Sequence, residues 1–189
     1  MTHERGGRSP GPKGASPLDC VRPTLARRPI VDPDGGRPRA PRLVLAVQYA
    51  VAPTTLPAPA TLRRWARAAV DRDATVTLRF VGKREGRTLN ALYRGKEYAT
   101  NVLAFVYDEK TPLSGDVVVC APVLRQEARA QGKPLANHCA HLVVHGMLHL
   151  QGYDHHTDRA ARAMEARESA ILATLGLPDP YAGPNASPR

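Results

Sequence analysis

The sequence has few features that would cross-link it or hold it in a membrane. It has three cysteines, Cys20, Cys120 and Cys139, an odd number with no C-x-x-C pair. That excludes a disulfide framework and fits reduced thiols in a cytoplasmic protein. Cys120 and Cys139 sit among apolar neighbours and read as packing residues, not ligands or nucleophiles. No apolar run is long enough to span a bilayer, and the first residues lack the apolar stretch of a signal peptide, so a membrane partner is not expected. Acidic residues are also scarce: 17 Asp and Glu stand against 27 Lys and Arg, a net charge of +10. Such a balance favours polyanions, nucleic acid first. Residues 1–42 lack any helical or alternating pattern while holding eight of the 18 prolines and six of the 15 glycines. Such a segment cannot bury enough apolar surface to offset its ordering entropy. It reads as a disordered basic tail, followed by one domain over residues 43–182 and a flexible C-terminus over 183–189.

What is present concentrates between His141 and His155, H-L-V-V-H-G-M-L-H-L-Q-G-Y-D-H, which holds four of the seven histidines. His145 and His149 are four apart, so a helix puts both imidazoles on one face. Gly152 can take a left-handed conformation and end that helix. The chain then turns back and brings His155 to the same point. Three neutral imidazoles with an open fourth position are the ligand set of a catalytic zinc. The spacing H-x-x-x-H-x-x-G-x-x-H is that of the metzincin zinc helix. One residue is missing from it. Zinc peptidases carry a glutamate directly after the first histidine as general base, and this chain has Gly146 there. His141, one turn earlier on the same face, reads either as a partner that orients a ligand or as packing. Asp154 reads either as an orienting carboxylate or auxiliary base, or as a turn residue.

Along the chain, Leu43–Tyr49 reads as a strand. Leu62, Trp65, Ala66, Ala69 and Val70 give an amphipathic helix that begins near Pro59. Thr75–Val81 alternates as a half-buried strand. Residues 82–86 read as a loop and Leu89–Arg94 as one short helix. Asn101–Tyr107 and Val117–Cys120 read as strands. Helices follow over Val123–Ala130, Leu135–Gln151 and Asp158–Leu175. In the last of these Met164, Ile171, Leu172 and Leu175 form the buried stripe. The order β-α-β-α-β-β-α-α-α predicts an α/β or α+β fold, one mixed sheet packed with helices.

Several motifs then fall in a recognisable order. Residues 89–105, L-N-A-L-Y-R-G-K-E-Y-A-T-N-V-L-A-F, closely resemble the signature L-N-x-x-Y-R-x-K-x-x-T-N-V-L-S-F of the YbeY family. Gly115-Asp116 before Val117–Cys120, the run Gln131–Pro134, the histidine motif and the closing Asp179–Tyr181 are similar as well. Ala104 replaces the usual serine, and Val106 a frequent proline. The resemblance spans about residues 43–182. It implies a zincin-like single domain with a three-histidine zinc site on a helix and the following turn. It implies a zinc-dependent, single-strand-specific endoribonuclease of 16S rRNA 3′-end maturation and ribosome quality control. Precursor 16S rRNA and the small ribosomal subunit would be its partners. Carried over by position, the ligands of one zinc per chain are His145, His149 and His155, and the functional arginine is Arg94.

The residue chemistry is compatible with that function. A three-histidine zinc brings a water to a pKa of about 7 without a neighbouring glutamate. Phosphodiester cleavage then wants positive charge, and Arg94 offers a bidentate fork for a phosphate. The competing role for Arg94 is an ion pair with an acidic neighbour such as Glu97. Lys96 reads as a solvated or phosphate-steering charge. Two other functions stay open on the sequence: a zinc peptidase, which Gly146 disfavours, and a non-catalytic ribosome assembly factor in which zinc only holds the fold.

Overall fold

The structure is a computed structural model and describes residues 39–110 and 112–182. Most of the expected tail, residues 1–38, and all of 183–189 lie outside the described residues. Residues 39–42 lie inside them, and two are tied to the sheet. The Arg39 guanidinium pairs with the Asp73 carboxylate, and the Arg42 amide donates to Asp73 Oδ1 at 2.8 Å. The Arg39 hydrogen bond, with help from the Arg42 amide, holds the Asp73 carboxyl down at about 2.

Four strands form one sheet in the order β1-β2-β4-β3. They are β1 (Leu43–Tyr49), β2 (Ala74–Val81), β3 (Val102–Asp108) and β4 (Leu113–Cys120). β1, β2 and β4 run parallel, and β3 closes one edge antiparallel to β4. A parallel neighbour needs a crossover, and α1 (Pro59–Ala69) supplies it between β1 and β2. β2 shows why the sheet is two-faced. Val76, Leu78 and Phe80 are buried on the side of the main core, while Thr75 is exposed and Arg79 reaches Glu85 at 2.9 Å. The main core also takes Leu62, Trp65 and Ala66 of α1 and most of α4 (Leu135–Leu150). The opposite face at β3 and β4 carries a smaller cluster of Val81, Leu103, Val118 and Cys120, against which Leu89 of α2 (Lys83–Arg94) packs. α3 (Ala121–Ala130) and α5 (Asp158–Thr174) complete the domain, the latter packed on α4. Among the described residues no helix is long and apolar enough to cross a membrane.

The element order agrees with expectation, and two elements run longer. The expected loop at residues 82–86 is the first turn of α2, which spans 12 residues. Gly86 signalled a break in the sequence, but it is buried where the helix meets β4. A Cβ there would lie 3.2 Å from Cys120 Sγ, so the glycine serves close approach. β4 starts at Leu113 rather than Val117 because its first half pairs with β2 from Ala74 onward.

Candidate metal centre

α4 is apolar around most of its circumference. His138, Cys139, Leu142, Val143, Val144, Met147, Leu148 and Leu150 are all buried, while His141, His145 and His149 form a half-buried stripe along one side. Hydrophobic burial of the rest of the helix therefore fixes where the histidines point. The helix ends in a tight turn: the Gly152 amide donates to His149 O at 3.0 Å and the Tyr153 amide to Leu148 O at 3.1 Å. Gly152 has φ of 84°, the left-handed region where a side chain is strained. Gln151 pins this turn to the end of α1. It is buried, donates to Ala69 O at 2.7 Å and Met147 O at 2.9 Å, and accepts from the Asp71 amide at 2.9 Å. Asp154 then accepts from the His156 amide at 3.1 Å, the turn role, and His155 is carried back to the other two histidines.

The geometry suits a metal ion. Nε2 of His145 and Nε2 of His149 are 3.0 Å apart, and one ring nitrogen from each of His145, His149 and His155 lies within 4.8 Å of the others. A tetrahedral ion with metal–nitrogen bonds of about 2.0–2.1 Å would hold such nitrogens only slightly farther apart than the first pair. His149 is also in the right protonation state. Burial, then the charges of His145, His155 and Arg94, push His149 down to about 4, so its lone pair is free at neutral pH.

Glu168 of α5 was not singled out in the sequence, and it organises the site. Its side chain is fully buried, with Oε1 2.8 Å from His145 Nδ1 and Oε2 2.9 Å from His141 Nε2. The Tyr181 hydroxyl donates to the same Oε2. Burial alone would raise this carboxyl, but the bonds from His141, His145 and Tyr181 outweigh it and hold it at about 2. A carboxylate on Nδ1–H fixes the tautomer of His145 and aims Nε2 at the ion position. His141 thus shares the carboxylate that orients His145 and is not plain packing. The signal for Glu168 was present: a charged residue sits on the apolar stripe of Met164, Ile171 and Leu172.

Gly146 has a steric role. A Cβ at this position would lie 2.5 Å from Cγ1 of Val117, itself fully buried on β4. The glycine lets α4 lie against the sheet, and a glutamate base could not be placed there without moving the helix. Gly146→Ala gains about 1 kcal/mol of helix propensity and incurs about 1–3 kcal/mol of overpacking. The net expectation is a lower melting temperature in a thermal melt, and an unchanged or higher one would contradict the contact.

Arg94 ends α2, where Gly95 caps the helix with φ of 66°. It lines a cavity of about 110 Å³ together with Thr100, Asn101 and the three histidines. The alternative partner Glu97 is engaged by Arg87 at 3.2 Å. Among the described residues Arg94 has no hydrogen-bond or ion-pair partner, while its charge is felt at His149. Lys96 is exposed.

Comparison with known proteins agrees with this arrangement. The family model described as "Endoribonuclease YbeY" matches residues 58–176. The chain is 57% identical over 144 residues to "Endoribonuclease YbeY" of Aromatoleum aromaticum, covering 75% of this chain and 94% of that protein. It is 49% identical over 157 residues to the protein of that name from Nitrosomonas europaea, covering 83% and 93%. With that of Thiobacillus denitrificans it shares 54% over 144 residues, covering 75% and 98%. Similar to these relatives over nearly all of their length, and to the family model over more than half of its own, the chain belongs to the endoribonuclease YbeY family.

Proposed function

We propose that this chain is a zinc-dependent, single-strand-specific endoribonuclease. It acts in the cytoplasm on precursor 16S rRNA, in 3′-end maturation and quality control of the small ribosomal subunit. Residues 43–182 form the catalytic domain, with one zinc on His145, His149 and His155. The observation that carries the reading is the pairing of three converging imidazoles with an arginine that has no ion-pair partner among the described residues, in one cavity. A bound zinc supplies Lewis acidity and a water acidified to a pKa of about 7.

The chain's own residues do the rest. Arg94 offers two parallel N–H donors to the non-bridging oxygens of a phosphate, which orients the diester at the histidines. Glu168 keeps His145 in register through Nδ1. Tyr93, half exposed, packs edge-on against Phe105 with centroids 4.8 Å apart. A peptide bond would ask for a base beside the first histidine, and the contact of Gly146 with Val117 leaves no room for one.

Metal-free protein should be inert toward single-stranded RNA and regain cleavage with one zinc per chain, while casein stays intact throughout. Casein hydrolysis, or RNA cleavage that persists in chelator with no metal by elemental analysis, would overturn the proposal.

A further inference from the structure

A second cavity, of about 190 Å³, adjoins the one at the triad and shares Asn101, Val102 and His145 with it. Glu127, Gln131, His138, His141 and Tyr181 supply the rest of its polar wall. The Glu127 carboxylate is held from two sides. Asn101 Nδ2 donates to Oε1 at 3.2 Å and Oε2 at 3.1 Å, and His138 Nε2 lies 2.8 Å from Oε2. The side chain still keeps 30% of its surface exposed. A carboxylate has about four acceptor positions, so Oε1 keeps a lone pair that the protein does not use. The other ring nitrogen of His138, Nδ1, is buried and has no hydrogen-bond partner among the described residues. Tyr181 is partly exposed, with its ring fixed by the hydroxyl bond to Glu168 and by edge contact with His141 at 5.5 Å.

This cavity has a carboxylate and an aromatic ring on its wall and shares three residues with the candidate cleavage site. We propose that it receives an unpaired nucleobase from the nucleotide beside the scissile phosphate, and that Glu127 selects bases with an exocyclic amine over uracil. The inference rests on the endoribonuclease reading above. Guanine, adenine and cytosine each present an N–H₂ donor that a carboxylate accepts. Uracil presents carbonyl oxygens on either side of its single N–H, and a fixed carboxylate repels them. A base in a duplex has that edge paired and stacked, so only a single strand can deliver one. The pocket would thereby contribute to single-strand specificity.

The test uses the full, zinc-loaded chain with two probes. In titrations with CMP and UMP, which differ at the amine-bearing edge, CMP should bind about 10-fold or more tightly, the scale of one hydrogen bond to a charged group. Glu127→Gln keeps the shape and adds a donor, and it should abolish the difference. In cleavage of an RNA with a randomised unpaired stretch, one position next to the cut should be depleted of uracil by wild type and not by Glu127→Gln. Should that variant fold poorly, wild type alone decides: replacing adenosine by purine riboside at that position removes only the amine and should lower kcat/KM about 10- to 100-fold. Equal binding of CMP and UMP to wild type, or uracil depletion that persists in a folded Glu127→Gln protein, would overturn the inference. Discrimination between the nucleotides without any RNA cleavage would support the pocket and defeat the nuclease reading instead.

Discussion

Arg94→Ala is expected to lower cleavage of single-stranded RNA by about 10²–10³-fold, the usual cost of removing one donor aimed at developing charge. Zinc content and melting temperature should stay at wild-type levels. Arg94 is exposed at the end of α2 and has no ion-pair partner among the described residues, so little in the fold depends on its charge. The pair that would have made it structural is not formed, because Glu97 is taken by Arg87. Its loss should also remove a repulsion at His149, whose proton affinity its charge depresses. Arg94→Lys should not restore the full rate, since an ammonium cannot reproduce the bidentate fork. His149→Ala gives the contrast, losing metal and cleavage together. Single-turnover cleavage, elemental analysis and thermal melts on the same proteins separate these outcomes. A folded, zinc-loaded Arg94→Ala protein with undiminished cleavage would show that Arg94 has no part in catalysis.

The convergence of the three histidines was legible in the sequence because they are near neighbours along the chain. The spacing of His145 and His149 specifies one helix face, and Gly152 specifies the turn that returns His155. Arg94 lies far from the motif in sequence, and only the family resemblance pointed to it as a partner of the histidines. Glu168 was missed for the same physical reason, since contact between α4 and α5 is tertiary and no local period announces it. Its trace was a conflict, a carboxylate on the stripe of Met164, Ile171 and Leu172, and such conflicts mark functional sites. Gly146 was legible as an absent base but not as a contact with Val117, which depends on how close α4 approaches β4. Residues 82–86 read as a loop for the same reason, since the close approach of Gly86 to Cys120 is tertiary. From one chain, a glycine that ends a helix and a glycine that lets a helix touch a sheet look alike.

The conflict at Glu168 leads to the other large effect. An ionised carboxylate in the core is tolerated only while its partners hold it, and removing one side of such a network strands the others. Glu168→Met would complete the apolar stripe of α5 but leave His141, His145 and the Tyr181 hydroxyl without their acceptor, so metal-free protein should melt below the wild-type temperature. Zinc affinity of the folded fraction should also fall about 10- to 100-fold, because His145 loses the acceptor that fixes its tautomer. Glu168→Gln keeps an acceptor oxygen for Nδ1–H and should lose less. The pH dependence carries the same signature. The Glu168 carboxyl is held at about 2 in the fold against 4.5 ordinarily. Its depressed value contributes stability that is fully present above about 4.5 and is lost as pH falls through 2. Wild type should therefore lose stability over that acid range more steeply than Glu168→Met when both are measured metal-free. Competition with a chelator of known affinity reads the zinc effect directly. Unchanged zinc affinity in a folded Glu168→Met protein would show that the buried carboxylate does not act through His145 on the metal.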